Sequence, residues 1–185
     1  MTELEIWNRA LGALPHDKRV ESLTEDSTEA LRCRDHFDAS RLHVLAAHEW
    51  GWALRSMPMC DGCYHAGKYA YPRPQSAARI VGLFGMDGRQ VDAIAIDGMF
   101  LSSSPAASIR YVYDEKNVEH IPPAVAQAIM YELASRIALP ITSNNNTERT
   151  MTTRAMSALS DARLNDAQEV RHSGVSPDYY AESRR

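Results

Sequence analysis

The stretch that decides the fold is "ARIVGLFGMDGRQVDAIAIDGMFLSSSPAASIRYVYD", residues 78–114. Its short runs are rich in β-branched and aromatic residues and are separated by Gly-containing turns, a composition that favours strands. Asp97-Gly98 lies between two apolar runs, and an Asp-Gly pair is a strong signal for a two-residue hairpin turn because both residues tolerate positive φ. We therefore predict three or four antiparallel strands here, preceded by the extended stretch "YAYPRP" at 69–74.

Helices are predicted on both sides of this β region. The first begins after Thr2, whose spacing to Glu5 is that of a capping box, and stops before Pro15. The second starts at 24–26 and meets no proline before Pro58, which predicts one helix of about 30 residues and about 45 Å. Such a length exceeds the diameter of a small globule, so we expect part of this helix to pack against another chain. Two later helices are predicted, one from the Pro-Pro pair at 122–123 to Pro140, the other over 147–171.

These elements predict an α+β, mainly α, fold: an elongated helical bundle with an inserted small antiparallel β-sheet and an extended C-terminal arm. Residues 1–58 and 119–171 would form the bundle, 67–116 the insertion, and 172–185 the arm.

The composition is that of an ordinary globular protein, with 185 residues, 44% hydrophobic residues and a net charge of −4. The sequence contains no block of basic residues of the kind that proteins use to bind nucleic acid. No apolar run approaches the roughly 20 residues that a membrane helix needs. The acidic N-terminus does not resemble a secretory signal, and an odd number of cysteines, three, leads us to expect a reducing cytoplasm without disulfides.

Candidate chemistry is sparse. His48-Glu49 could begin a His-Glu-x-x-His zinc motif, but the position of the second His is occupied by Trp52. The best metal candidates are the thiols and imidazole of Cys60, Cys63 and His65, because a Cys-x-x-Cys turn can hold one edge of a zinc tetrahedron. The alternative is a turn whose thiols are merely packed or exposed. No nucleophile elbow or phosphate-binding loop occurs, so we expect no enzyme and no cofactor.

Aromatic residues indicate surfaces where a partner could bind. Tyr and Arg are favoured at interfaces because they combine contact area with directional hydrogen bonds. For the two tryptophans the alternative is that they fill the core between helix and sheet; a stacking platform for single-stranded nucleic acid is a third reading. The predicted interface residues are Trp50, Trp52, Tyr71, Tyr179, Tyr180, Arg184 and Arg185.

The order of four motifs resembles the head–tail adaptor proteins of tailed bacteriophages, in particular the tail tubular protein A-like family. The motifs are "NRALGAL" at 8–14, "DSTEA" at 26–30, "WGWA" at 50–53 and "YAYPRP" at 69–74, and the resemblance covers about residues 4–165. The stretch from Cys60 to His65 is not part of the pattern.

The resemblance implies a virion structural protein at the head–tail junction of the capsid vertex, made in the host cytoplasm. It implies a homo-oligomeric ring, usually of twelve subunits, between the portal protein and a downstream tail or nozzle protein. The helices would form the ring, the β insertion would face the tail, and the C-terminal arm would dock on the portal. Double-stranded DNA would pass through the lumen without sequence recognition, and a net charge of −4 suits such a channel. The alternative function is a small metal-binding module or enzyme that uses Cys60, Cys63 and His65.

Overall fold

A computed structural model describes residues 1–59, 63–65 and 68–173, which form two units. The helical unit combines Met1–Val44 with the described part of Asn117–Arg185, and the β unit is Leu45–Lys116. The helices are α1 (Glu3–Gly12), α2 (Thr28–Ala46), α3 (Pro123–Thr142) and α4 (Asn145–Ser173). Eight strands are described, so the α+β, mainly α, fold class is confirmed.

The start of α1 is fixed by the predicted capping box. The Thr2 hydroxyl accepts a hydrogen bond from the Glu5 N–H at 3.2 Å, and the Glu5 carboxylate accepts one from the Thr2 N–H at 2.8 Å. The helix buries Trp7, whose ring meets Phe37 of α2 edge-on with ring centroids 6.3 Å apart. This contact packs α1 against α2 within the core of the helical unit.

The prediction of a second helix of about 30 residues is wrong. α2 begins after Ser27, whose hydroxyl accepts a hydrogen bond from the Ala30 N–H at 3.3 Å, and it ends at Ala46 after 19 residues. A short 3₁₀ helix follows at Gly51–Ala53, and Leu54–Pro58 is strand β1. The cause is a partner that lies far along the chain, because β1 pairs antiparallel with the strand Ser108–Tyr113. Residues 45–58 therefore belong to the β unit, not to the bundle predicted for 1–58.

Helices α3 and α4 pack against each other. α4 turns toward α3 a side made mainly of small residues, with Ala155, Ala158 and Ala162 buried, so the two backbones approach closely. Pro140 does not end α3 as predicted. In the last turn it costs only one helical hydrogen bond, and Ser143 closes the helix in the left-handed region at φ 51°.

The β unit contains two antiparallel sheets, not the single small sheet that was predicted. Sheet 1 has the order β1-β8-β4-β5 and sheet 2 the order β2-β3-β7-β6. The strands after β1 are β2 (Cys63–His65), β3 (Lys68–Pro72), β4 (Ala77–Phe84), β5 (Gln90–Val91), β6 (Ala93–Ile96), β7 (Met99–Ser102) and β8 (Ser108–Tyr113).

The two sheets share one apolar core. Tyr71 of β3 and Phe100 of β7 come from sheet 2, and they pack with Leu83 of β4 and Ile109 of β8 from sheet 1. The predicted Asp97-Gly98 turn joins β6 to β7, with φ of 50° and 74°, so the hairpin prediction is confirmed. Because side chains alternate along a strand, the faces opposite this shared core point out of the sandwich.

Candidate interaction surfaces

The outer side of sheet 2 carries an exposed apolar surface, which we call the hairpin face: Ile94, Ile96, Met99 and Leu101. The register pairs Ile94 with Leu101 and Ile96 with Met99. The intervening pair is Ala95 with Phe100, and Phe100 packs in the core, so the hairpin face lies on the opposite side. Ile94, Ile96 and Met99 are 56%, 47% and 38% exposed. Contiguous apolar surface of this kind marks a contact site more often than scattered single residues do.

Strand β6 is also the edge of sheet 2. In the described part of the chain no strand pairs with its outer side, and all four of its residues, 93–96, are exposed. Edge strands usually carry a charge that discourages pairing with other chains, but β6 carries none. Exposed aspartates lie immediately outside it, Asp92 before the strand and Asp97 in the turn. The edge is therefore apolar along its length and acidic at both ends.

Helix α4 presents a second exposed surface, which we call the α4 stripe: Arg149, Met156, Ser160, Arg163 and Leu164. Positions 149, 156 and 163 recur every seven residues and so lie along one side of the helix. Met156 and Leu164 are 68% and 60% exposed, and both arginines are exposed. The stripe thus has Met156 midway between two arginines and Leu164 next to the second of them.

On the outer face of sheet 1, charged side chains interact with other groups of the β unit. The guanidinium carbon of Arg110 lies 3.9 Å from the centroid of the Phe84 ring, a cation–π geometry. Arg79 lies 3.7 Å from the carboxylate of Glu49. These contacts stabilise the sheet locally and leave less of this face for a partner.

An open cleft of about 850 Å³ lies beside the turn between β4 and β5. Met86 at the tip is 96% exposed, and the charges next to it face each other, with Arg89 Nε 3.8 Å from Asp87 Oδ2. The rest of the lining includes Met59, residues 90–92 and the small residues 103–107. The cleft offers hydrogen-bonding groups, but no acid–base pair of the kind that general catalysis uses.

The structure buries two of the predicted interface residues. Trp50 is 0% exposed and meets His48 edge-on with ring centroids 4.8 Å apart. Tyr71 is 1% exposed and accepts a hydrogen bond from the Ala106 N–H at 2.7 Å. Neither side chain has surface left for a partner, so we assign both to the core, the alternative that the sequence left open for the tryptophans.

Trp52 lies in the 3₁₀ helix and is half-buried. Its Nε1–H is buried without a hydrogen-bond partner among the described residues, so the polar end of this indole points away from solvent. The other four predicted interface residues, Tyr179, Tyr180, Arg184 and Arg185, lie outside the described residues.

The Cys60 metal candidate also lies outside the described residues. Cys63 and His65 are in strand β2, which pairs with β3 through Cys63 opposite Ala70 and His65 opposite Lys68. Across the described ranges no group of three or more His, Cys, Asp or Glu residues is arranged to hold a metal ion. The third cysteine, Cys33, is buried in α2, and this burial, followed by the nearby Glu29 charge, raises the pKa of its thiol to about 12. Cys33 is therefore a protonated core residue at neutral pH.

Sequence reasoning missed an ion cluster around a buried carboxylate in the helical unit. Glu29 at the start of α2 is 6% exposed, and its Oε1 lies 3.0 Å from His16 Nε2 and 3.3 Å from Lys18 Nζ. Hydrogen bonding to its own backbone N–H, and then the charge and hydrogen bond of Lys18, lowers the pKa of Glu29 although burial opposes this. The cluster ties the segment between α1 and α2 to the start of α2.

No protein-family model matches the sequence, and a search of curated proteins found no match. Within the described ranges, no helix combines the length and the apolar character that a bilayer-spanning helix requires.

Proposed function

We propose that the protein is a head–tail adaptor, a virion structural protein whose subunits form a ring between the portal and the tail, through which genomic DNA passes. The observation that carries the proposal is the element order. The helical unit combines segments before and after the β unit, which is inserted in the sequence between α2 and α3. The resemblance to the tail tubular protein A-like family implies the same order of elements.

The exposed apolar surfaces support assembly better than the length of the second helix does. α2 has only 19 residues, so it does not have the excess length, beyond what a single small globule can cover, that the sequence predicted for it. It is α4 that is long, with 29 residues or about 44 Å, and its stripe exposes Met156 and Leu164. The hairpin face supplies a second apolar surface on the other unit. Ring subunits need two such surfaces, because each subunit contacts two neighbours.

Each part of the chain has a role in this proposal. The helical unit forms the body of the ring, and the β unit faces the downstream tail or nozzle protein. Of the arm predicted over 172–185, the part that follows α4 docks on the portal through Tyr179, Tyr180, Arg184 and Arg185. Double-stranded DNA passes without being read, and the net charge of −4 per subunit favours transit because it offers phosphates little attraction. The particle is assembled in the host cytoplasm, and the protein remains in the virion at the head–tail junction.

The test is the mass of the purified protein, alone and after mixing with the portal protein encoded in the same genome. We expect a ring, usually of twelve subunits for proteins of this kind, that co-migrates with the portal ring. A chain that ends at residue 173 is the matched variant: it should keep its self-association and lose portal binding. A monomer that joins no portal ring contradicts the proposal.

The alternative, a metal-binding module or enzyme, rests on the spacing of Cys60, Cys63 and His65 alone. It predicts stoichiometric zinc in the purified protein and its loss in Cys60→Ser. Metal analysis of the wild type and of this variant separates the two functions, because the adaptor needs no metal to assemble.

A further inference from the structure

We propose that the subunits contact each other through the hairpin face of one copy and the α4 stripe of the next. This contact would build the ring of the proposed function. The biological role of the contact therefore rests on that function, whereas self-association of the purified protein can be measured separately. The occupant of each surface is therefore a second copy of this chain.

The two surfaces carry opposite charges at matching positions. Asp92 and Asp97 lie at the two ends of β6, about 17 Å apart at 3.3 Å per residue. Arg149 and Arg163 are 14 residues apart on α4, about 21 Å at 1.5 Å per residue. Long arginine side chains readily bridge the remaining difference. With the helix laid along β6, each arginine would meet one aspartate.

On the sheet the apolar residues lie between the charges, and on the helix Met156 lies between them while Leu164 directly follows the second arginine. Met156 is midway between the two arginines, and Leu164 lies on the same side of α4. On the sheet, Ile94 and Ile96 lie between the two aspartates, with Met99 beside Ile96. An apolar centre with a charged border is the usual composition of a protein–protein contact, in which burial stabilises the complex and the charges fix its register.

The same charges disfavour contacts between identical surfaces. If β6 paired antiparallel with β6 of a second copy, Asp92 would approach Asp97 of the partner subunit at both ends. If two α4 stripes met antiparallel, Arg149 would approach Arg163 of the partner subunit. Both arrangements bring like charges together, whereas sheet against helix brings opposite charges together. A contact between two different surfaces of the same protein leads to rings or filaments, not to closed twofold dimers.

Two double variants test the contact: Asp92→Arg with Asp97→Arg, and Arg149→Glu with Arg163→Glu. All four positions are exposed, and arginine at Asp97, whose φ is 50°, costs the turn some stability, so circular dichroism is used to check that each variant keeps its fold. Each variant alone places like charges across every contact. We expect the concentration for half-assembly, from light scattering after size exclusion, to rise at least about 100-fold for each.

An equimolar mixture of the two variants is the decisive measurement. The basic sheet of the aspartate variant meets the acidic helix of the arginine variant. The acidic sheet of the arginine variant meets the basic helix of the aspartate variant. Both contacts pair opposite charges, so rings of alternating subunits should form. A single chain that carries all four changes should also assemble alone. The control variants are Arg154→Glu, on the opposite side of α4, and Asp87→Arg, in the turn between β4 and β5; both should assemble like the wild type.

Each other outcome overturns a specific statement. If the wild type assembles and both double variants assemble equally well, the contact lies elsewhere and the adaptor function stands. If the double variants fail and their mixture is not restored, both surfaces are needed for assembly but do not pair with each other, and the proposed contact is wrong. If the wild type neither self-associates nor joins the portal, the adaptor function itself is wrong.

Discussion

The hydroxyl of Tyr71 in β3 accepts a hydrogen bond from the backbone N–H of Ala106, 35 residues later, at 2.7 Å. Tyr71 belongs to sheet 2, and Ala106 precedes the first residue of β8 in sheet 1. One buried hydroxyl thus connects the two halves of the sandwich and satisfies an amide in the shared core.

We expect Tyr71→Phe to destabilise the β unit by about 1–3 kcal/mol, because the buried Ala106 N–H would lose its acceptor. The measurement is the free energy of unfolding from a urea titration followed by circular dichroism. Tyr111→Phe is the matched control, since this ring is also buried but its hydroxyl makes no hydrogen bond to the described residues. Equal losses for the two variants would contradict the role assigned to the hydroxyl.

Asn8 holds the segment after α1 against the helix through two hydrogen bonds. Its Nδ2 donates to the Val20 carbonyl at 2.8 Å, and its Oδ1 accepts from the Val20 N–H at 2.9 Å. Asn8→Ala leaves both backbone groups of a residue that is only 2% exposed without these partners, and we expect a loss of about 2–4 kcal/mol.

Asn8→Asp tests the same bridge more finely. The carboxylate keeps the acceptor for the Val20 N–H but places an oxygen against the Val20 carbonyl, so its loss should be comparable to that of Asn8→Ala. Asn165→Ala, an exposed asparagine on α4, controls for the change of residue type and should leave the urea midpoint unchanged within about 0.5 kcal/mol. A small effect of both Asn8 variants would mean that water replaces the bridge.

Local signals in the sequence predicted the features that depend on neighbouring residues. The capping box of Thr2 and Glu5 and the turn at Asp97-Gly98 each need only two to four residues, and both are present. The end of α2 could not be predicted in this way. Whether Leu54–Pro58 continues a helix or forms a strand is decided by its pairing with Ser108–Val112, 50 to 58 residues away.

The hairpin face is likewise a candidate interaction surface that the sequence alone did not predict. The alternation in "AIAI" at 93–96 indicates a strand with isoleucine on one face and alanine on the other. Isoleucine would ordinarily be assigned to the core. In the structure the alanine face lies toward the core side, because the large rings of Tyr71 and Phe100 already fill the space between the sheets. The space between the sheets depends on side chains of β3 and β7 as well as β6, so the sequence of β6 alone does not show which of its faces is buried.

Glu29 makes the stability of the helical unit depend on pH in the acidic range. Its pKa in the folded protein lies below the usual 4.5, so its ion cluster stabilises the fold above pH 4.5 and this contribution is lost as the pH falls through the lowered value. We expect Glu29→Gln to be less stable than the wild type at pH 7, and we expect the difference to be smaller at pH 3. Urea midpoints at these two pH values measure the difference. Glu169→Gln, an exposed glutamate on α4, should follow the wild type at both, and a Glu29→Gln curve parallel to the wild type would contradict the assignment.

Gly98 is required by its backbone conformation and not by the space around it. Its φ is 74°, while nothing lies within 4 Å of the place where a Cβ would be. An L-residue in this left-handed region costs about 1–2 kcal/mol, so Gly98→Ala should destabilise the β6–β7 hairpin by this amount. Gly12→Ala is the matched control, because a Cβ there also meets open space but the position ends α1, where alanine favours the helix by up to about 1 kcal/mol. The two alanine variants should therefore shift the urea midpoint in opposite directions. Shifts of the same sign and size would mean that side-chain volume, and not the φ of Gly98, governs the turn that carries the hairpin face.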